Sequence, residues 1–192
     1  AICAGANVTF TSAASGTPAP TVQWQVSTDN GSTWSNISGA TASTYSFVSV
    51  AADNAKRYRS VWTNSAGSAN STVAILTVNT SPVLSSSLTG TATSGTAFAY
   101  TATSTTSGTT FNWTRAVVAG ISNAAVSGTG NVSETLVNTT SSPVTITYAY
   151  TLSANGCTST QNVVVTVNPA SQSQGCTVTT SIATNFNGTA IA

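Results

Sequence analysis

Apolar and polar residues alternate along this chain in short runs, and no stretch holds a helical period over several turns. Every element the pattern predicts is therefore a strand. In the first half the runs are Asn7 to Ala13, Val22 to Ser27, Thr33 to Ile37, Thr44 to Val48, Arg57 to Asn64 and Ser71 to Val78. In the second they are Phe98 to Thr103, Thr110 to Arg115, Glu134 to Asn138, Val144 to Ser153 and Gln161 to Asn168. Clusters of Gly, Pro, Asn, Asp and Ser separate them. The loop Ser15-Gly16-Thr17-Pro18-Ala19-Pro20 parts the first two strands, because proline cannot donate to a ladder and restricts the residue before it. The two halves end alike: Ile75-Leu76-Thr77-Val78-Asn79 runs into Thr80-Ser81-Pro82, and Val163 through Asn168 runs into Pro169-Ala170. These are last strands passing into linkers. The expected architecture is all-β, two tandem sandwiches over residues 1–80 and 81–170. Residues 171–192 form a strand-like tail around Thr177 to Ile182, read as the start of a further β-domain or a donor strand.

Composition sharpens this picture. Of 192 residues only 4% are charged while 40% are hydrophobic, against a charged share of about a quarter in ordinary soluble domains. The surface must be hydroxyl and amide. Regular Val, Ile, Tyr and Trp positions distinguish the chain from a disordered one. A net charge of +1, from Lys56, Arg57, Arg59 and Arg115 against three carboxylates, cannot build the positive track that phosphate binding needs, which argues against a nucleic-acid partner. No apolar run approaches the roughly 20 residues that span a bilayer. Beginning at Ala1 with no charged-then-apolar leader, the chain reads as a mature protein or an excised fragment.

Candidate chemistry is sparse. Hydrolytic sites of the usual kind need a base or a pair of carboxylates at a set separation. This chain has no His and only Asp29, Asp53 and Glu134, the first two in turns and the third in the other half. Cysteine nucleophiles need an activating partner, and none stands near Cys157 or Cys176. The expectation is a protein without catalytic residues, cofactor or metal. Calcium wants about six to eight oxygens, and Asp29-Asn30 and Asp53-Asn54 supply one anionic ligand each. Alternating threonines, such as Thr9 and Thr11 or Thr145 and Thr147, suit solvent-facing strand positions. Asn-x-Ser/Thr sequons at Asn7, Asn36, Asn70, Asn79, Asn112, Asn131, Asn138 and Asn187 matter only where the host glycosylates asparagine. Three cysteines, Cys3, Cys157 and Cys176, leave at least one unpaired within the chain, and spacing alone does not decide the connectivity.

Four stretches carry a family resemblance in the first half. They are Val8-Thr9-Phe10-Thr11, Val22-Gln23-Trp24-Gln25, Asp53 followed by Tyr58, and Thr63-Asn64-Ser65-Ala66-Gly67. Together they resemble an intermediate-type immunoglobulin domain. The resemblance implies that Trp24 is the buried strand-C tryptophan, and that Asp53 and Tyr58 belong to a tyrosine corner whose hydroxyl bonds back to upstream backbone. Ser12 and Ser60 stand where that family usually carries its inter-sheet cysteines. The run Ser27 to Trp34 is similar to the Asp-box of sialidases, a folding motif remote from their chemistry. Asp29 and Gly31 then form a hairpin turn on which Trp34 packs. In the second half, Ser94-Gly95-Thr96-Ala97-Phe98, Thr110 to Arg115 and Ala154-Asn155-Gly156-Cys157 resemble the PKD-like repeat of bacterial surface proteins, with Trp113 in its core. Many such repeats pair the cysteine at position 157 with one at position 93, which is threonine here. A bridge from Cys157 to Cys176 then becomes a candidate, with Cys3 pairing outside the chain.

These resemblances imply a structural stalk or spacer in a secreted, adhesin-like surface protein, partnered by neighbouring domains of the same or an identical chain and by an extracellular glycan or protein ligand. Two alternatives stand beside it. One is a filament subunit donating its tail, Cys176 to Ile191, as a strand to a neighbour. The other is a carbohydrate-binding accessory module of a secreted enzyme, which predicts an exposed aromatic platform.

Overall fold

A computed structural model describes residues 1–171. The first half forms β1 (Ile2–Cys3), β2 (Asn7–Thr11), β3 (Thr21–Ser27), β4 (Ser35–Asn36), β5 (Thr44–Val48), β6 (Arg57–Asn64), β7 (Gly67–Asn70), β8 (Ala74–Ile75) and β9 (Val78–Asn79). The second forms β10 (Thr89–Thr93), β11 (Ala97–Tyr100), β12 (Thr110–Arg115), β13 (Val126–Thr129), β14 (Val132–Thr135), β15 (Val144–Ala154) and β16 (Cys157–Asn168). Ladders stay within each half. In the first, β4-β3-β6-β7 packs against the pair β2-β5, with β8 on β6 and β1 parallel to β9. In the second, β10-β16-β15-β12-β13 packs against β11-β14. The protein is an all-β pair of immunoglobulin-like sandwiches.

Period-two alternation explains the layers. Along β15, Ile146, Tyr148, Tyr150 and Leu152 point into the core while Thr145, Ala149 and Thr151 face solvent. Its partner β16 buries Val163, Val165 and Val167 in the same way. The two join through Asn155 and Gly156, both at positive φ (52° and 79°), the conformation a two-residue hairpin turn demands.

Two expectations need correction. The run Ser71 to Val78 is not one strand. Its register on β6 slips by one residue between the pairs Val61–Asn70 and Tyr58–Ala74, where the Ser71 hydroxyl accepts the Ser60 N–H at 3.0 Å. This is a bulge, after which β9 leaves β6 and pairs with β1. Conversely, Ile2–Cys3, Thr89–Thr93 and Val126–Thr129 are strands that alternation did not predict. They are short edges, rich in Thr, Gly or Ala or only two residues long, and their partners rather than their own pattern hold them extended. The predicted strand Thr177 to Ile182 and Cys176 lie outside the described residues.

Strand direction also sets which ends meet. β2 and β6 begin, and β3 and β9 end, at the same end of the first sandwich. That end leads through Thr80 into the second sandwich, while the loop Ser12 to Pro20 and the turn after Asn64 form the opposite tip.

Candidate functional site at the junction

The residues that unite the sandwiches come from three places. Parallel pairing of β1 with β9 sets Cys3 beside Asn79, the last strand residue of the first sandwich. The Asn155-Gly156 turn presents Cys157 at the start of β16, where it is 1% exposed. These cysteines form a disulfide, their Cα atoms 5.7 Å apart and 154 residues apart in sequence, within the distance such bonds require. Beside it the Asn79 Nδ2 donates to the Asn155 carbonyl at 2.8 Å. The linker is pinned too. Pro82 is fully buried, its carbonyl accepts from the Ser159 hydroxyl, and the Leu84 N–H donates to the Gln161 side-chain oxygen. The pairing of Cys157 with Cys176, and of Cys3 with something outside the chain, is thereby corrected. Folding the two sandwiches end to end places Cys3 against the β15–β16 turn, a proximity that no local spacing records.

Of the other singled-out residues among those described, all but Trp113 lie in the first sandwich, apart from the bridge. Asp29 accepts from the Ser27 hydroxyl at 2.7 Å, the Thr33 N–H at 2.9 Å and the Thr33 hydroxyl at 2.5 Å. Those bonds, Thr33's side chain first, hold its carboxyl well below the usual carboxylate range. Gly31 supplies the turn's positive φ of 93°, and the Trp34 indole donates to its carbonyl at 3.1 Å. The Arg59 guanidinium lies 4.2 Å over the Trp34 ring. Asp53 takes Lys56 Nζ and the Val50 N–H, each at 2.8 Å. The Lys56 bond leads in lowering its pKa, against the opposing effect of burial. Tyr58 departs from the corner expectation. Among the described residues its hydroxyl makes no bond to upstream backbone; its ring instead stacks on Phe10 at 4.7 Å and touches Tyr45 and Phe47. Trp24 is buried and donates to the Ala42 carbonyl.

Where the resemblance to immunoglobulin domains places inter-sheet cysteines, the Ser12 and Ser60 hydroxyls lie 2.7 Å apart, and Trp62 Nε1 donates to both. In the second sandwich Trp113 is buried edge-on to Tyr148, its ring over Gly128. Sequence reasoning missed the ion pair beside it. Arg115, 1% exposed, donates through Nε and Nη2 to the two Glu134 oxygens at 3.0 and 2.9 Å, and Tyr148 adds a hydroxyl bond of 2.6 Å. Burial pushes the Glu134 carboxyl up, but the bonds from Arg115 and Tyr148 and the Arg115 charge outweigh it, leaving the pKa lowered. The signal was present: Arg115 shares the parity of Phe111 and Trp113, so alternation places it inward.

Among the described residues no aromatic side chain is exposed, and no three His, Cys, Asp or Glu groups come together to hold a metal. The tip of the first sandwich carries an open cleft of about 250 Å³ around Pro20, Trp62 and Asn64, with no titratable group in it.

A family model described as a domain of unknown function, DUF8696, matches residues 1–80. Endoglucanase C of Cellulomonas fimi is 48% identical over 77 residues, 40% of this chain but 7% of that protein. The chain thus corresponds to a small fraction of that relative's length. Among solved structures, extracellular domains 3–5 of Drosophila OTK superpose with a TM-score of 0.47 and 16% identity over 88% of this chain and 58% of theirs. The N-terminal four Ig domains of Dscam1 isoform 6.9 do so at 0.41 and 13%, over 88% and 42%. Superpositions this loose carry no weight for ligand or partner.

Proposed function

We propose that this chain is a non-catalytic structural spacer of a secreted surface protein, holding neighbouring domains at a fixed separation and angle. The observation that carries the reading is the Cys3–Cys157 bond between the sandwiches. A tandem joined by one linker bends by default; here the linker, the disulfide and the Asn79–Asn155 hydrogen bond give three attachments at one junction. A disulfide is also what an oxidising, extracellular setting sustains. Scarce charge leaves the surface little affected by salt. Small-angle scattering of the oxidised chain and of the Cys3→Ser/Cys157→Ser variant tests the proposal. One narrow distribution of particle length that broadens in the variant is expected; equally broad distributions in both would remove the spacer reading.

A second reading, an accessory module of a secreted carbohydrate-active enzyme, draws support from the endoglucanase relative. It ranks lower because sugar recognition of that kind leans on exposed aromatic rings, and among the described residues Trp34 is covered by Arg59 while the other aromatic rings are buried or half-buried. Retardation in gels containing soluble β-glucan would raise it above the first.

A further inference from the structure

Resting on the spacer reading, in which the molecule is pulled by what it connects, we infer a mechanical function: the Cys3–Cys157 bond and β16 form one covalent tendon that carries tension past both sandwich cores. The load path follows from the topology. Force applied at Ala1 reaches Cys3 after two residues, crosses the disulfide to Cys157, and leaves along β16 toward Ser171. The 154-residue separation between the cysteines is bypassed, and with it the whole core of the first sandwich and every strand of the second except β16.

What remains under load is poorly suited to yielding. β16 is already extended, at about 3.3 Å per residue, near the limit of about 3.6 Å for a taut chain. Pulling its two ends therefore lengthens it hardly at all, and a force that produces no displacement does little work toward unfolding. Both loaded points also lie on the same strand, so the ladders beside it are not sheared. β16 is paired along β15 from Val144–Val167 to Ala154–Cys157 and along β10 from Thr89–Val164 to Thr93–Asn168. Its Val163, Val165 and Val167 side chains are fully buried. Without the disulfide, the same force would first peel β1 from its two-residue pairing with β9 and then open the first sandwich strand by strand.

Optical-tweezers stretching of the full chain between handles at its two termini tests this, comparing the oxidised protein with Cys3→Ser/Cys157→Ser. The variant should release about 50 nm more contour length than the oxidised chain, the length hidden between the cysteines at roughly 3.3–3.6 Å per residue. The oxidised protein decides the matter even if the variant folds poorly. Its fully stretched length should stay near about 15 nm rather than the roughly 65 nm of the free chain, and should rise to the longer value on adding a dithiol reductant. An oxidised chain that opens to the full length in sandwich-sized steps overturns the tendon. Scattering at rest reports the junction's rigidity separately, so a flexible junction with a short stretched length would sink the spacer and leave the tendon.

Discussion

The two sandwiches solve the same packing problem with different materials. In the second, one continuous core runs from Leu84 to Val167, with Leu136, Tyr148, Tyr150, Leu152, Val163, Val165 and Val167 wholly removed from solvent. Its sheets are tied by a buried ion pair between Arg115 on β12 and Glu134 on β14. The first has two smaller clusters, one around Tyr58 and Leu76 and one around Trp24 and Val22, and no residue in either is wholly buried. Its sheets meet through stacked rings, Phe10, Tyr45, Phe47 and Tyr58, and through the Ser12–Ser60–Trp62 hydrogen bonds. The difference teaches where each half finds its restraint: the second internally, the first partly from its neighbour through Cys3.

The comparison can be broken most sharply from the second sandwich. Glu134→Leu leaves the buried Arg115 without its carboxylate, and losing one member of such a pair costs about 3–5 kcal/mol. Urea unfolding followed by fluorescence, with Trp113 kept and Trp24, Trp34 and Trp62 replaced by Phe in both the reference and the variant, should show that loss, and adding Arg115→Met should recover much of it. Full stability in the single variant would mean that the pair does not tie the sheets.

The first sandwich can be given the inter-sheet bond that its resemblance to immunoglobulin domains implies at Ser12 and Ser60. Ser12→Cys with Ser60→Cys places thiols where hydroxyls now lie 2.7 Å apart, and an inter-sheet bond there is expected to add about 2–4 kcal/mol. Peptide mapping under non-reducing conditions checks the pairing, and calorimetry the gain, which should appear in the first transition alone.

The smallest effect is the response to pH. Asp29, Asp53 and Glu134 all have carboxyl pKa values lowered by folding. Their contribution is therefore present above the unfolded carboxylate range of about 4 and is lost as pH falls through the folded values. Burial first, with help from nearby groups, pushes the Tyr58 and Tyr150 hydroxyls up to about 12. Their contribution is present below the unfolded tyrosine value of about 10 and is lost as pH rises through about 12. With no histidine in the chain, urea midpoints should be level from about pH 5 to 9 and fall on both sides. A transition near neutral pH would contradict this assignment.

Alternation alone located Thr44–Val48, Arg57–Asn64 and Thr110–Arg115 to the residue, because a half-buried strand writes its period directly into its sequence. The turn chemistry of Asp29-Asn30-Gly31 was legible for a similar reason: the atoms that bond are within five residues of one another. Arg115 was legible in principle, since its parity announces the core, but its partner Glu134 sits on the other sheet. The Ser71 bulge and the short strands β1, β10 and β13 were not, because their conformation is imposed by a neighbouring strand and not by their own side chains.

The sequence by itself determined an all-β chain, its alternating faces, its turns and its near-neutral surface, since each depends on neighbours a few residues apart. Only the tertiary structure decided which cysteines meet. A disulfide requires two Cα atoms within about 7 Å, and Cys3 and Cys157, 154 residues apart in sequence, lie 5.7 Å apart in a fold whose linker buries Pro82. The junction, the load path and the asymmetry between the sandwiches all follow from that long-range contact.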